Sequence, residues 1–494
     1  RNECQALDVQ LLKENHICGI RQEKLDLRAC EYKLRIIAKT SELVEIRVAL
    51  MENSIEDTNG STYSFTLHPG DWQKENFSMH IPKAGMYSLS ITFSKRARVT
   101  FGVLSMLPFD HFHGMRRDVI ECMKEIGISM LRWPGGNFAG EYRWQDGLLD
   151  ADERAPLEAY MENETQPYTN GYDYNEVGID EFIALCREIG AEPFLTINLA
   201  NASPEENAAW VEYCNGADDT RYGKLRAQRG HKDAYQVRYW SLGNEMGYGH
   251  MEGPMTPGQY VMLARRQMRA MLDVSPDLQL FSSGPYPSEE WGTKSAKELA
   301  ENVKYASLHH YTYVPLDYSS DEAAKNTCQA IMDAPKEAYR LIKEMRTCLG
   351  NNIHISFDEW NCWYAWYRPS SAAEGLYAAG MLQLFLNESN AMDMPVCCYF
   401  QPISEGAIEI KGNHCRLTAT GQVFSMLKAH CGGSLCPSLK NNSVAATIKD
   451  NILTISMIHT GQEEPRVFKI QIRGDLLDAK LLSTDSLLPH SRFE

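Results

Sequence analysis

No apolar run in this chain of 494 residues approaches the roughly 20 residues that span a bilayer, so an integral membrane protein is not expected. Positive charge is also scarce. The formal net charge of −16 disfavours a phosphate-rich partner, because nucleic acids are bound by Lys and Arg displacing counterions; a nucleic-acid partner is not expected and a neutral substrate suits the balance. No C-x-x-C pair stands among the 14 cysteines, which leaves a structural zinc site without its usual spacing. Cys122, Cys186, Cys397 and Cys398 fall within apolar patterns and read as free core thiols. Internal repeats and low-complexity tracts are missing as well. The glycines from Gly247 to Gly253 miss the dinucleotide spacing and carry no weight. The chain begins at Arg1 rather than Met; a secreted or periplasmic place is the expectation, with the cytoplasm as the alternative.

What is present is enough sequence for two or three domains, since single cores stop growing at about 250–300 residues. From Glu31 to Phe101 short alternating strands, such as Tyr32-Lys-Leu-Arg-Ile-Ile and Leu43-Val-Glu-Ile-Arg-Val, are divided by turn clusters such as Asp57-Thr-Asn-Gly-Ser. That is the pattern of an antiparallel β-sandwich, assigned to residues 1–98. Amphipathic helices then alternate with short apolar strands, as a parallel α/β architecture requires. Helices are expected over Met115 to Ile126 and Ile179 to Ile189, and another opening at Thr256-Pro257-Gly258-Gln259 with an N-cap and a capping box. Seven strands follow, beginning at Ile128, Glu192, Val237, Leu278, Tyr305, Ile353 and Met394. They predict a (β/α)8 TIM barrel over residues 99–431, its eighth strand being either Thr100 to Met106 or one preceding Arg1. From Gly432 the strand pattern returns at Ser443, Ile452 and Arg466, which predicts a C-terminal β-sandwich over 432–494.

In such barrels the active site lies where the strands end. Two apolar strands end in acids there: Trp240-Ser-Leu-Gly243-Asn244-Glu245 and Phe357-Asp358-Glu359-Trp360-Asn361. Paired carboxylates flanking a glycosidic bond are what glycoside hydrolysis needs, one protonated for the leaving oxygen and one to attack the anomeric carbon. A third strand, Leu131-Arg132-Trp133, breaks into Pro134-Gly135-Gly136 and presents Asn137. Glycines let backbone approach a ligand, and an Asn side chain can both donate to and accept from sugar hydroxyls. Trp144, Tyr311, Trp363 and Trp366 stand near the same strand ends as candidate stacking platforms. Asp358 is expected to support Glu359 rather than react. His309 and His310 lack a third ligand at metal spacing, so no metal is expected.

At these residues the chain resembles the family 51 glycoside hydrolases, whose best-known members are α-L-arabinofuranosidases. The matching motifs are Arg132-Trp-Pro-Gly-Gly-Asn137-Phe, Tyr142-Arg-Trp-Gln-Asp146-Gly, Gly243-Asn244-Glu245-Met, Ser307-Leu-His309-His-Tyr311 and Asp358-Glu359-Trp360-Asn361. They fall in the family's order across roughly residues 99–430, and the resemblance implies that no cofactor takes part. The resemblance implies Glu245 as the general acid/base and Glu359 as the nucleophile of a retaining, exo-acting α-L-arabinofuranosidase. Its substrate would be arabinose-containing oligo- or polysaccharide, arabinan or arabinoxylan. Asn244 would contact the 2-hydroxyl, Asn137 further hydroxyls, and Tyr311 would sit beside the nucleophile; Gly136, Trp133, His309 and Trp360 complete the expected sugar-binding set. Oligomers are common in the resembled family, so a homo-oligomer is expected. One departure stands out: the family's first barrel strand, with its sugar-binding Glu, has no counterpart before residue 98, where the stretch looks like a carbohydrate-binding sandwich. Two other readings of the residues are an endo-β-1,4-glucanase or xylanase on the same barrel and a carbohydrate-binding protein that does not turn over.

Overall fold

A computed structural model describes residues 6–13, 16–52, 60–158, 160–161, 164–165, 172–248, 254–284, 289–363, 370–403, 406–436, 443–460, 467, 469, 471 and 474–494. Its first eight strands are β1 (Leu7–Leu11), β2 (Cys18–Leu27), β3 (Glu31–Thr40), β4 (Val44–Glu52), β5 (Gly60–Leu67), β6 (Gln73–His80), β7 (Gly85–Phe93) and β8 (Ala97–Pro108). They form two antiparallel sheets in the orders β1-β8-β3-β6 and β2-β7-β4-β5. The two-residue period of β3 explains why they face each other. Tyr32, Leu34, Ile36 and Ala38 point inward and are buried with Ile46, Val48, Leu50 and Val99, while Lys33, Arg35 and Lys39 alternate outward. Each buried branched side chain there contributes roughly 1.5–3 kcal/mol.

Strand β8 corrects one expectation. Residues Thr100 to Met106 do not supply a barrel strand, because β8 pairs antiparallel with β1 and β3, in a register that runs from Tyr32 opposite Pro108 to Thr40 opposite Val99. The sandwich thus continues past residue 98, and we place its boundary after Pro108.

The chain then runs through α1 (Arg117–Ile126), β9 (Met130–Trp133) and two small antiparallel pairs, β10 (Leu157–Glu158) with β13 (Tyr172–Asp173) and β11 (Tyr160–Met161) with β12 (Glu164–Thr165). Next come α2 (Ile179–Ile189), β14 (Glu192–Thr196), α3 (Pro204–Asn215), α4 (Arg221–Gln228), β15 (Tyr239–Ser241), α5 (Pro257–Val274), β16 (Gln279–Ser282), α6 (Glu289–Glu298) and β17 (Val303–Thr312). After α7 (Asp321–Asp333) and α8 (Pro335–Leu349) follow β18 (His354–Cys362), α9 (Ala372–Met392) and β19 (Val396–Tyr399). The seven strands expected from the sequence form one parallel sheet in the order β9-β14-β15-β16-β17-β18-β19. It curls so that β9 and β19 approach one another, a nearly closed TIM-type barrel. Helix α5 starts as its sequence predicts: Thr256 Oγ1 accepts from the Gln259 N–H at 3.3 Å and the Gln259 side chain accepts from the Thr256 N–H at 2.9 Å.

Aromatic rings plug the barrel below its mouth. Phe281 stacks on Tyr305 with ring centres 4.2 Å apart and meets Phe194 at 4.4 Å; Met130, Tyr239 and Val396 complete this layer. The hairpin β20 (Ile408–Lys411) and β21 (His414–Leu417), then α10 (Ala419–Leu427), close the seam between first and last strands. A three-stranded antiparallel sheet of β22 (Ser434–Leu435), β23 (Val444–Lys449) and β24 (Ile452–Met457) stands where the C-terminal sandwich is expected, held to α9 by Asn387 donating to the Val444 carbonyl at 3.1 Å. The strand expected from Arg466 lies mostly outside the described residues. Among the described residues no helix is long and apolar enough to cross a membrane.

Candidate active site

Four strands deliver the polar side chains at the barrel mouth. In β9 the alternation turns Arg132 inward, where its guanidinium lies 5.8 Å above the Phe194 ring, and turns Trp133 outward onto the helices. Trp133 stacks on Phe182 of α2 at 4.9 Å and meets Trp210 of α3 edge-on. The turn after it needs its glycines: Gly135 has φ 28° and Gly136 φ 67°, the left-handed region that side chains with a Cβ disfavour. This turn brings Asn137 to the mouth, where its side-chain oxygen accepts from Asn244 Nδ2 at 3.3 Å.

Beyond β15 the backbone is contorted. Gly243 has φ 84°, and a Cβ there would lie 2.7 Å from Met246 Sδ. Glu245 itself has φ 45°, a conformation that costs a non-glycine residue on the order of 1–3 kcal/mol and survives only when its surroundings enforce it. The enforcement is visible. Ser283 Oγ accepts from the Met246 N–H at 3.0 Å, and the Tyr260 hydroxyl both donates to the Leu242 carbonyl at 3.2 Å and accepts from the Ser283 N–H at 2.6 Å.

Strand β18 departs from simple alternation. Its ladder with β17 slips between Ser307 and His309, and its ladder with β19 slips between Phe357 and Trp360. A slip of this kind re-aims a side chain, and Asp358 and Glu359, though adjacent, both approach Arg132 and His309. Trp360 is consequently thrown outward, 1% exposed, among Tyr377, Phe385 and Tyr399. Trp360 thus lies in the core, and Trp133 is half-buried against it, so both indoles of the expected sugar-binding set pack on neighbouring helices and rings.

The polar groups form one connected set. Arg132 donates to Glu359 Oε1 at 2.6 Å and to Asn244 Oδ1 at 2.7 Å, with Asp358 Oδ2 3.7 Å from its Nε. The Tyr311 hydroxyl donates to Glu359 Oε2 at 2.9 Å. His309 wedges between the acids: its Nδ1 is 2.8 Å from Glu245 Oε1 and 3.4 Å from Glu359 Oε2, and its Nε2 is 3.2 Å from Ser307 Oγ and 3.5 Å from Asp358 Oδ1. Ser307 in turn donates to Asp358. One oxygen of Glu245, one of Glu359 and a His309 ring nitrogen lie within 4.8 Å of one another.

Burial pulls the His309 pKa down, but the charge of Glu359 and hydrogen bonds to Asp358 and Glu245 outweigh it and hold the ring at about 10. His309 is therefore an imidazolium presenting N–H donors at both nitrogens. Burial, then the charges of Glu359 and Glu245, push the Tyr311 hydroxyl well above its usual range, so it remains a donor. Burial raises the Asp358 carboxyl, yet His309 and Arg132 bring it below its ordinary value. Glu245 is the more open of the two glutamates, its side chain 12% exposed against 5% for Glu359.

Of the residues singled out in the sequence, Glu245, Glu359, Asn137, Asn244, His309 and Tyr311 meet at this mouth, with Gly136 shaping its rim. Trp363 stands edge-on to Tyr311 at 5.8 Å. Trp144 is buried, donating to the Glu206 carbonyl at 3.0 Å, and Trp366 lies outside the described residues. Arg132 and Ser307 join the site although the sequence gives them no role beyond their place in the motifs. A signal exists for Arg132, since a guanidinium inside an apolar strand must find carboxylates; Ser307 is marked only by its place in the motif with His309 and Tyr311.

Comparison with known proteins adds a frame. The family model described as "Alpha-L-arabinofuranosidase 1 domain" matches residues 122–326. The "Probable alpha-L-arabinofuranosidase C" of Aspergillus terreus is 30% identical over 321 residues, covering 60% of this chain and 61% of that protein. An "Intracellular exo-alpha-(1->5)-L-arabinofuranosidase" of Streptomyces lividans is 33% identical over 264 residues, 51% of this chain and 38% of its own. The crystal structure of an α-L-arabinofuranosidase from Thermotoga maritima in complex with arabinose aligns with TM-score 0.56 and 28% identity, over 69% of this chain and 74% of that one. The chain thus spans less than two thirds of the length of the curated relatives it matches.

Proposed function

We propose that the chain is a family 51 glycoside hydrolase, a retaining, exo-acting α-L-arabinofuranosidase that removes L-arabinose side chains from plant polysaccharides such as arabinan and arabinoxylan. The observation that carries this reading is the approach of a Glu245 oxygen to within 4.8 Å of a Glu359 oxygen. Retaining enzymes hold their carboxyls about 5–5.5 Å apart, whereas inverting ones leave roughly 6.5–9.5 Å for a water.

In this reading Glu245, on the more open side, donates its proton to the glycosidic oxygen as the bond to the anomeric carbon breaks. Glu359 attacks that carbon from the other face and forms a covalent arabinosyl ester. Arg132 and Tyr311, each bonded to one Glu359 oxygen, hold the carboxylate so that its attack needs little reorganisation. The aglycone leaves, and Glu245, now a carboxylate, takes a proton from water. That water attacks the anomeric carbon, breaks its bond to Glu359, and releases arabinose with its configuration retained, leaving Glu359 a carboxylate and Glu245 protonated again. Asn244 and Asn137, joined to one another and to Arg132, are placed to read the sugar hydroxyls.

The test is a substrate panel with two variants. Glu359→Ala is expected to abolish turnover of aryl α-L-arabinofuranosides, by about 10⁴-fold or more. Glu245→Ala should keep activity on substrates with good leaving groups and be rescued by azide. Rescue at position 359 instead would exchange the roles, and internal cleavage of a β-1,4-glucan with arabinofuranosides left intact would replace the activity. The relative named intracellular favours a cytoplasmic place over the secreted one.

A further inference from the structure

A second pair of reactive side chains meets away from the carboxylates, at the seam of the barrel. Cys122 on α1 and Cys415 on β21 are 293 residues apart in sequence, yet the Cys415 thiol donates to Cys122 Sγ across 3.4 Å. Both residues are half-buried rather than sealed in the core, so a small oxidant can reach them. A disulfide bond is about 2.05 Å long, and its formation asks the sulfurs to close by only about 1.4 Å.

The two segments are already packed together through Val119, Met123, Ile126, Ile408 and Leu417. The hairpin that carries Cys415 also reaches the sandwich. At its tip the Asn413 N–H and side-chain amide each donate to Asp26 at 3.1 Å, and Arg116 donates to the Gly412 carbonyl at 2.7 Å. A bond between Cys122 and Cys415 would therefore fasten the first barrel helix to the element that closes the barrel and touches the N-terminal domain.

We propose that Cys122 and Cys415 form a reversible oxidation site that takes a low-molecular-weight disulfide, such as glutathione disulfide, as its oxidant and closes into a staple across the barrel seam. Cys122, whose sulfur receives the hydrogen bond, reacts first as thiolate on one sulfur of the oxidant and expels one glutathione thiolate, leaving a mixed disulfide. Cys415 then gives up its proton and attacks Cys122 Sγ, expelling the second. Two protein thiols become one cystine, one glutathione disulfide becomes two glutathione thiols, and the two protons end on those thiols. Burial, together with the hydrogen bond to Cys122, pushes the Cys415 thiol up to about 12, so it stays the protonated donor while Cys122 reacts first.

The full chain is incubated with glutathione disulfide or with dithiothreitol, digested without reduction and mapped by mass spectrometry, while the thermal midpoint of each sample is recorded. The expected result is a peptide pair joined through Cys122 and Cys415 that vanishes on reduction, with the oxidised midpoint a few degrees higher. Cys415→Ser should stop at glutathione held on Cys122, with no rise in midpoint. Oxidised wild type that carries glutathione adducts without the joined pair, or a rise that persists in Cys415→Ser, overturns the proposal. The joined peptide is read on the wild type, so a variant that folds poorly does not blunt the test.

Discussion

His309 sits between Glu245 and Glu359 with a side chain 1% exposed, and an imidazole there is stable only because its charge is answered on both sides. Its pKa of about 10 in the folded chain stands above the roughly 6.5 of an unfolded histidine. The charge therefore stabilises the fold in full below about 6.5, and that contribution is lost as pH rises through about 10, since folding takes up a proton in between. The thermal midpoint of the wild type is expected to fall across this window by more than that of His309→Gln, whose profile should be flatter. Equal slopes in paired melts would show the ring to be neutral. In the sequence His309 was visible as a candidate, but its place between the acids was not: strands β15, β17 and β18 bring Glu245, His309 and Glu359 to one point only after the sheet has curled.

Strand β18 teaches the corresponding lesson for an element. Its apolar run and acidic end were legible from residue types alone, and so was the start of α5, because an N-cap and its Gln lie within one helical turn. Which of its neighbours face inward was not legible, because the ladder slips that bring Asp358 and Glu359 together belong to the pairing with β17 and β19. The same slips send Trp360 into the core, which yields a clear test. Trp360→Ala is expected to cost about 3–5 kcal/mol of stability, as for other buried aromatics, and Trp360→Phe about 1–2 kcal/mol, with KM for an aryl arabinofuranoside unchanged in the Phe variant. Denaturant melts and steady-state kinetics measure both; a KM that rises several-fold in a stable Phe variant would return Trp360 to the sugar site.

For the molecule as a whole, the joint between sandwich and barrel is polar. Asp152, its side chain 6% exposed, faces Arg35 and lies 3.5 Å from Lys74, both on the sandwich, and Arg28 pairs with Asp110 at 2.8 Å. Asp152→Ala leaves Arg35 half-buried without this partner, and is expected to lower stability by about 1–3 kcal/mol and to speed proteolytic cleavage near residues 109–116, with kcat on a small aryl substrate unaltered. Thermal melts and limited proteolysis read this directly. The chain's residue order was sufficient for the seven barrel strands, for the sandwich before them and for the two glutamates, because strand period and strand ends are recorded in neighbouring residues. Folding alone assigned β8 to the sandwich, turned Trp133 and Trp360 outward, and gathered Arg132, His309 and Ser307 around the acids. Those outcomes depend on hydrogen-bond registers and packing between segments up to hundreds of residues apart, and a local pattern carries no record of its distant partner.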